Sequence, residues 1–506
     1  MLMKKKTLWN IVLLLVLALQ LVAEGYAAIT LIRLNMLPDL YVLILIGALA
    51  LLTLLVAGLM FLGHRRRVRV ARRWVACILA VIIAAGCLLV GQLATDAFRA
   101  VHTVTNHVTT TTRNMYVFVR YEDPAAYLAD AKDYTFAYIE NYDVKHTEKA
   151  KEYLEETFGQ SIACVTGEDA KQVADKLLNK EVGALIMNGA SVAILQENEG
   201  YETFSEKIRI LETMPFSMLE EDKEPTEETP TEPSVRRDVT NAPFAVYISG
   251  SDTRSTMLTV SRSDVNILAV VNPVTKQVLL INTPRDYYVA NPAGDGAMDK
   301  LTHCGLYGAE CSMEVLSELY GVDVDYYGQI NFTGFETLID AIGGIDVYSD
   351  QSFKAGDTYI SVGENHLNGS AALSFARERY RVSGGDNGRG KNQMKMVKAV
   401  IEKLTSGTTI ISNYSSILGS LGGMFSTSMS MEDISLLVKM QLSDMAQWNI
   451  QSYAVTGVGG SERTYSAGVY AYVMHEDERS TAHAAALAQR VVNGEILTEA
   501  DMKLTK

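Results

Sequence analysis

Seven side chains in the second half of the chain have the types and spacing to act together on a phosphorylated substrate. Arg262, Arg285, Arg377, Arg379 and Arg389 are guanidinium groups in a region otherwise rich in acids, and Asp252 and Asp264 lie 12 residues apart. A guanidinium presents a planar fork that meets phosphate oxygens two at a time, and it stays protonated at any physiological pH. Mg²⁺, or Mn²⁺ in its place, takes one or two carboxylates together with phosphate oxygens and water. Any one of these residues alone reads as a solvated surface charge or a cap. As a group they point to a polyanionic, pyrophosphate-like ligand and a divalent cation held by Asp252 and Asp264.

The elements that must position them alternate between strand and helix. Phe244–Ile248 reads as a strand that ends in Gly250-Ser251-Asp252-Thr253-Arg254. Ser261-Arg262-Ser263-Asp264 leads into a strand over Val265–Val271, a turn at Asn272-Pro273, a strand over Gln277–Asn282 and then Thr283-Pro284-Arg285-Asp286. Strand ends followed by Gly, Asn, Asp and Pro are where α/β folds carry ligand loops. Downstream, a helix is expected from near Gly369 through Ala371–Tyr380. A Gly-rich loop over Gly384–Lys391 follows, and a second helix opens at Asn392-Gln393 and runs to about Leu404. Gly385 through Lys391 imitates a phosphate-binding P-loop, but Asn392 stands where that motif needs Ser or Thr, and a helix precedes it instead of a strand. No G-x-S-x-G elbow or H-E-x-x-H pair is present. Asp264 and Asp286 both remain open as the base.

The block from Gly250-Ser251-Asp252 through Asp264 resembles the LytR–CpsA–Psr (LCP) family when taken with five other segments. These are Thr283–Asp286, Asp299-Lys300-Leu301-Thr302-His303, Asn331–Phe335 with Asp340–Val347, Phe375–Tyr380, and the Arg389–Gln393 tail. The resemblance covers about residues 242–495, and the three spans and extra domain resemble its capsule-associated CpsA-type members. It implies a Mg²⁺-dependent phosphotransferase that moves a glycopolymer, such as capsular polysaccharide, from polyprenyl-pyrophosphate onto peptidoglycan. It further implies metal ligation by Asp252 and Asp264, and pyrophosphate binding by Arg262, Arg285, Arg377, Arg379, Arg389 and Gln393. The catalytic roles would fall on Asp252, Asp264, Arg285 and Arg377. Many members have Arg-Gln where this chain has Asn392-Gln393, so one phosphate-contacting cation is missing or replaced by Lys391.

The remaining chain sets the context. Of 506 residues 48% are hydrophobic, and the net charge of −14 argues against a nucleic-acid partner, which needs a basic footprint. Leu8–Ile32, Leu40–Leu62 and Trp74–Ala94 are each long enough to cross a bilayer. Lys4, Lys5 and Lys6 precede the first. Arg65, Arg66, Arg67, Arg69, Arg72 and Arg73 separate the second from the third, and only Arg33 lies between the first two. The positive-inside rule therefore expects a cytoplasmic N-terminus, with everything after about residue 96 outside a bacterial cell membrane. Glu24 falls inside the first span, as an interhelical or functional carboxylate.

The expected organisation has six parts. They are a membrane region (1–95), a Thr-rich stalk (96–114), a smaller α/β accessory domain (115–218), an acidic Pro/Thr linker (219–241), an α/β LCP domain with a central mixed sheet flanked by helices (242–495), and a tail (496–506). Phe332–Ile345 could supply part of an apolar slot for a polyprenyl chain, or simply core. Cys304 and Cys311 could form a disulfide only if the segment between them bends, because on one continuous helix they would lie roughly 10 Å apart. His303 beside them suits phosphate orientation or a structural role equally. Two alternatives stay beside the transferase: a polyprenyl-pyrophosphate phosphatase, and a non-catalytic envelope or capsule regulator. Capsule-assembly proteins are further candidate partners.

Overall fold

The computed structural model describes all residues except 1, 63–65, 106–110, 141, 197, 199, 219–237, 252–257, 259–260, 295, 407–420, 422, 468–469 and 505–506. The linker segment 219–237 and Asp252 therefore lie outside the described residues.

Three long helices open the chain: α1 (Leu2–Leu34), α2 (Asp39–Phe61) and α3 (Arg66–Thr105). Each contains a stretch long and apolar enough to cross a membrane, namely Trp9–Leu34, Asp39–Phe61 and Val70–Asp96. Helix α3 continues to Thr105, so the first part of the Thr-rich segment read as a stalk is helical. Glu24 is interhelical. Thr53 Oγ1 of α2 donates to it at 2.8 Å and Gln20 Nε2 donates at 2.8 Å, so the Glu24 carboxyl finds its partners inside the bundle.

A five-stranded sheet follows, built from β1 (Thr111–Arg120), β2 (Thr135–Ile139), β3 (Ala163–Gly167), β4 (Ala184–Asn188) and β5 (Ile208–Met218) in the order β3-β2-β4-β1-β5. Helices α4 (Val144–Phe158), α5 (Ala170–Leu178), α6 (Gly189–Leu195) and α7 (Phe204–Lys207) connect its strands. Buried clusters around Val173, Leu177 and Leu185 and around Val117, Phe136 and Leu154 form its core.

The larger unit contains β6 (Phe244–Ser251), β7 (Val265–Asn272), β8 (Gln277–Asn282), β9 (Tyr288–Asn291), β10 (Ala297–Lys300), α8 (Leu301–Cys304), α9 (Ala309–Tyr320), β11 (Tyr326–Asn331) and α10 (Phe332–Ala341). It continues with β12 (Ile345–Ser349), β13 (Phe353–Ala355), β14 (Thr358–Ile360), β15 (Gly363–Leu367), α11 (Gly369–Arg377), α12 (Gly385–Thr405) and β16 (Phe425–Thr427). It closes with α13 (Met431–Asp444), β17 (Asn449–Ala454), β18 (Gly457–Arg463), β19 (Tyr470–Glu476) and α14 (Glu478–Val492).

Its central sheet runs β16-β11-β6-β7-β8-β17, with β6/β11 and β8/β17 parallel and the other pairs antiparallel. All six residues of β8 are buried, because helices cover both faces. On one face Tyr247, Leu268 and Leu279 pack with Val315 and Tyr320 of α9 and Leu487 and Val491 of α14. On the other, Ile267, Leu280 and Ile450 pack with Met394 of α12. Leu497, in the segment read as a tail, is also buried, and Asn449 Nδ2 donates to its carbonyl at 2.8 Å.

This unit meets the end of the helix bundle farthest from Lys4–Lys6 and the Arg-rich segment. Met431 and Val438 of α13 pack with Leu31, Leu34, Met36 and Ala94, and Lys439 Nζ reaches Asp39 at 2.7 Å.

Two local expectations are corrected. The helix expected through Tyr380 stops at Arg377, and the expected Gly-rich loop is the first two turns of α12. Only Gly384 and Gly385 have the positive φ of a turn, 91° and 57°. Gly388 and Gly390 are helical glycines that permit close approach. A Cβ on the first would overlap the Ser383 carbonyl, and on the second the Asn282 amide at the end of β8. Helical glycine costs about 1 kcal/mol against alanine. Contact between the helix start and the sheet edge offsets that cost.

Candidate active site

Sheet register brings Asp264 and Arg285, with Arg262 in the loop before Asp264, to one edge. Gly250 pairs with Val265, Asn282 with Ile267, Asn331 with Ser251 and Ala454 with Asn282. The ends of β6, β8, β11 and β17 and the start of β7 therefore share that edge. Asp264 lies immediately before β7, and its backbone N–H donates to Gly250 O at 2.9 Å. Arg285 lies three residues beyond β8, and its Nη1 donates to Asp264 Oδ1 at 2.7 Å. Its Nε is 3.6 Å from Asp286 Oδ2, and Lys300 Nζ is 3.3 Å from Asp286 Oδ1. Asp286 thus has a cation on each oxygen, whereas Asp264 Oδ2 makes no hydrogen bond to a described residue.

A buried hydroxyl network fixes the loop beneath Asp264. Tyr247 Oη donates to Asn266 Oδ1 at 2.7 Å and lies 2.8 Å from Ser263 Oγ, which lies 2.8 Å from Ser249 Oγ. Burial pushes the Tyr247 pKa up, so the phenol stays a neutral donor and acceptor. Arg262 sits half-buried in the same loop.

The α11–α12 corner supplies the other arginines. Glu378 accepts from the backbone N–H groups of Tyr380 and Arg381 at 2.9 and 3.0 Å and from Arg381 Nη1 at 3.0 Å. Burial alone would raise its pKa, but these bonds and the Arg381 charge outweigh burial and hold the carboxyl below its usual range. This turn sends Arg377 back over the Phe332 ring, 4.5 Å from its centroid, and Arg379 against Tyr380. Phe332 directly follows Asn331, so Arg377 is held beside the β11 and β6 ends. Arg389, on the second turn of α12, pairs with Asp386. Desolvation is the largest influence on it and lowers its pKa. The charges of Arg285 and Arg379 act in the same direction, against Asp386 and Asp264.

Arg285, Arg379 and Asp264 are therefore each within electrostatic reach of Arg389, which is itself largely buried while Arg379 is exposed. Arg285 and Arg389 each have a carboxylate partner, and the further positive charge of Arg379 and Arg377 beside them leaves the arrangement suited to an anion. Gln393 is four residues beyond Arg389, on the same helix face. Asn392 points inward, its Nδ2 donating to the Phe375 carbonyl at 3.4 Å, and Lys391 is exposed. Asn392 ties α12 to α11.

Asp299 and His303 belong to a buried latch instead. His303 Nδ1 lies 2.6 Å from Asp299 Oδ1, which also accepts from Lys300 N–H at 2.8 Å. Asp299 Oδ2 accepts from Ser466 N–H at 3.1 Å, Asn291 Nδ2 at 3.3 Å and Ser466 Oγ. Nothing in the sequence marks Ser466 or Asn291 as its partners, because Asn291 ends β9 and Ser466 arrives from the distant turn between β18 and β19. Cys304 and Cys311 are neighbouring free thiols, not a disulfide, although the chain does bend between them through a 3₁₀ turn at Gly305–Tyr307. In Phe332–Ile345, Ile339, Ile342 and Ile345 are spent on core.

Among the described residues no cluster of three or more His, Cys, Asp or Glu could cage a metal. The open oxygen of Asp264 beside the arginines nevertheless fits a cation that takes its remaining ligands from phosphate and water.

Comparison with known proteins gives consistent results. The LytR_cpsA_psr family is matched over residues 214–486. A polyisoprenyl-teichoic acid–peptidoglycan teichoic acid transferase, TagU, of Enterococcus faecalis is 34% identical over 194 residues, 38% of this chain and 63% of that protein. The protein of the same name from Bacillus cereus is 32% identical over 225 residues, 44% of this chain and 68% of that protein. Among solved structures, B. subtilis TagV is 25% identical, covering 50% of this chain and 98% of its own, with a TM-score of 0.41.

Proposed function

The chain belongs to the LytR_cpsA_psr family, and from that premise we propose that it is a membrane-anchored phosphotransferase that moves a glycopolymer from polyprenyl-pyrophosphate to peptidoglycan. The observation that carries this reading is the Arg285–Asp264 pair at the sheet edge, with the largely buried Arg389 close enough to feel both charges and that of Arg379. The TagU relatives are named for this class of transfer.

Arg285 and Arg389 hold the diphosphate oxygens, and Arg377, stiffened by Phe332, orients the phosphoryl group with Arg379 and Arg262. A sugar hydroxyl of the acceptor attacks the phosphorus that carries the polymer. A new P–O bond forms, the P–O bond to the bridging oxygen breaks, and polyprenyl phosphate leaves. The hydroxyl proton passes to a carboxylate of the same edge. Asp286, paired only loosely with Arg285 at 3.6 Å and Lys300 at 3.3 Å, is the carboxylate that takes it and also positions Arg285, while Asp264 keeps an oxygen open for a cation. Asp264, with Asp252 as a second ligand, would hold a divalent cation such as Mg²⁺, which would supply positive charge at the diphosphate. The arginines stabilise the charge that builds on the leaving group.

The basic residues at one end of the bundle support an orientation with that end in the cytoplasm and the catalytic unit outside. Capsular polysaccharide or another anionic polymer is the proposed cargo.

The test uses the full chain in detergent, a short lipid-linked polymer and peptidoglycan glycan strands. Polymer should become covalently attached to the strands. Arg285→Ala should lower the rate by about 10²-fold or more, and chelation should abolish it. Release of free polymer phosphate with no attachment would favour a phosphatase. Full activity in Arg285→Ala would overturn the proposed site.

A further inference from the structure

The accessory domain and the larger unit meet at the corner that follows β10. There α8 is a single turn, continued by the 3₁₀ turn at Gly305–Tyr307, and every residue from Leu301 to Leu306 is buried. Helices this short do not hold themselves together, so packing on either side must fix the corner.

On its inner side the corner is bonded to both loops that carry the site. Thr302 N–H donates to Arg285 O at 2.8 Å, and Thr302 O accepts from Ser263 N–H at 3.1 Å. One residue thus bridges the Arg285 loop and the Ser261–Asp264 loop. Gly305 completes the contact, because a Cβ on it would lie 2.9 Å from Ser263 N and 3.0 Å from Ser261 O. Ser261–Asp264 belongs to no helix or strand, so contacts of this kind set its position.

On its outer side the corner meets the accessory domain. Ile194 of α6 is buried against Leu306 and against Ala467, which lies in the turn of the two-stranded ribbon of β18 and β19. Tyr142, between β2 and α4, meets the Tyr307 ring edge-on, with centroids 6.3 Å apart. Tyr307 also packs on the accessory core around Val173 and Leu177, and its Oη lies 3.0 Å from Ser466 Oγ. Close-packed interiors are barely compressible. A shift of Leu306 therefore passes to Gly305 and Thr302, and from them to Ser263 and Arg285.

We propose that the accessory domain is a buttress for the active site: through Ile194 and Tyr142 it presses on the Leu306–Tyr307 turn and so fixes the Ser261–Asp264 and Arg285 loops. Ile194, Leu306 and Tyr307 are then positioning residues, acting through Asp264 and Arg285. The inference deepens the transferase reading by giving this domain a part in it, while the mechanical link is read without turnover.

The experiment compares amide hydrogen exchange and transfer by the full chain in detergent for the parent, Ile194→Asp, Ile194→Ala and Ile194→Val. A carboxylate at position 194 is costly to bury beside Leu306 and Ala467, so Ile194→Asp opens the seam. The Thr302 and Ser263 amides should then exchange at least about tenfold faster, while those of β2 and β4 stay protected. Ile194→Ala should show the same change to a smaller degree, and Ile194→Val should match the parent. Ile194→Asp should also lose about tenfold or more in kcat at an unchanged acceptor KM, because displaced loops lose reaction geometry before they lose acceptor binding. Parent-like exchange at Thr302 and Ser263 in Ile194→Asp refutes the buttress, and so does faster exchange there with a parent-like kcat. Should Ile194→Asp release β2 and β4 as well, the accessory domain itself has opened, and Ile194→Ala decides by the same two readings. Faster Thr302 and Ser263 exchange in variants of a parent that transfers nothing would strike the transferase reading and leave the mechanical link standing.

Discussion

Replacing Asp299 with Asn tests the latch that joins β10, α8 and the ribbon. Five donors converge on this fully buried carboxylate: His303 Nδ1 and Lys300 N–H on one oxygen, and Ser466 N–H, Ser466 Oγ and Asn291 Nδ2 on the other. An asparagine keeps one acceptor and puts an NH₂ group in place of the other. Whichever way it flips, the new donor faces a backbone N–H, of Lys300 or of Ser466, that cannot accept. A buried donor left unsatisfied costs about 1–3 kcal/mol, and bonds to a charged group contribute about 1.5–3 kcal/mol each. The total should approach the roughly 3–5 kcal/mol typical of breaking one side of a buried pair. For a unit of this size each kcal/mol moves Tm by about 2–4 °C, so Asp299→Asn should melt on the order of 10 °C lower.

The pH dependence gives a second reading of the same group. Burial raises the Asp299 pKa, but the His303 charge and the hydrogen bonds from His303, Ser466 and Lys300 N–H outweigh burial and hold it below the ordinary value. A depressed folded-state pKa means stability that is present above the unfolded value, about 3.9, and lost as pH falls toward the folded one. The parent should therefore lose stability below about pH 4 through this group, and Asp299→Asn should lack that component. Thermal melts of both proteins across pH, followed by near-ultraviolet circular dichroism, decide the matter. A Tm within about 2 °C of the parent, or parallel pH profiles, would refute the latch.

Two further outcomes follow from packing at the same site. Gly388→Ala gains about 1 kcal/mol of helix propensity and loses about 1–3 kcal/mol to overlap with the Ser383 carbonyl, so Tm should stay level or fall by up to about 8 °C. The displaced turn carries Arg379 and Arg389, so transfer should fall by tenfold or more, and unchanged turnover beside unchanged Tm would show that the turn does not position them. Cys304 is raised in pKa by its contact with Cys311 and by burial, so a maleimide near pH 7 should label it only after denaturation. Rapid labelling of Cys304 in the folded chain would mean that the α8–α9 corner opens readily.

The strand assignments in the larger unit were legible because alternation and turn residues are local. Gln277–Asn282 was bounded by Asn272-Pro273 and by Thr283-Pro284, and the strand has those ends. The apolar lengths of the first three helices were equally local, since a bilayer asks only for about 20 consecutive apolar residues. Glycine was misleading in Gly384–Lys391. The residue type signals a loop, yet Gly388 and Gly390 are helical because a carbonyl and an amide from elsewhere leave no room for a Cβ. Residue types nominated Arg285, Arg379, Arg389 and Asp264 among others, pairing of β6, β7 and β8 in one register decided that Asp264 and Arg285 share an edge, and packing of α12 against the end of β8 brought Arg389 to it. The same limit hid Ser466 and Asn291 behind Asp299. Chemistry that one side chain carries, or that a short period reveals, is written along the chain. Contacts between residues hundreds of positions apart exist only once the sheet forms, because strand register, not sequence spacing, sets those distances.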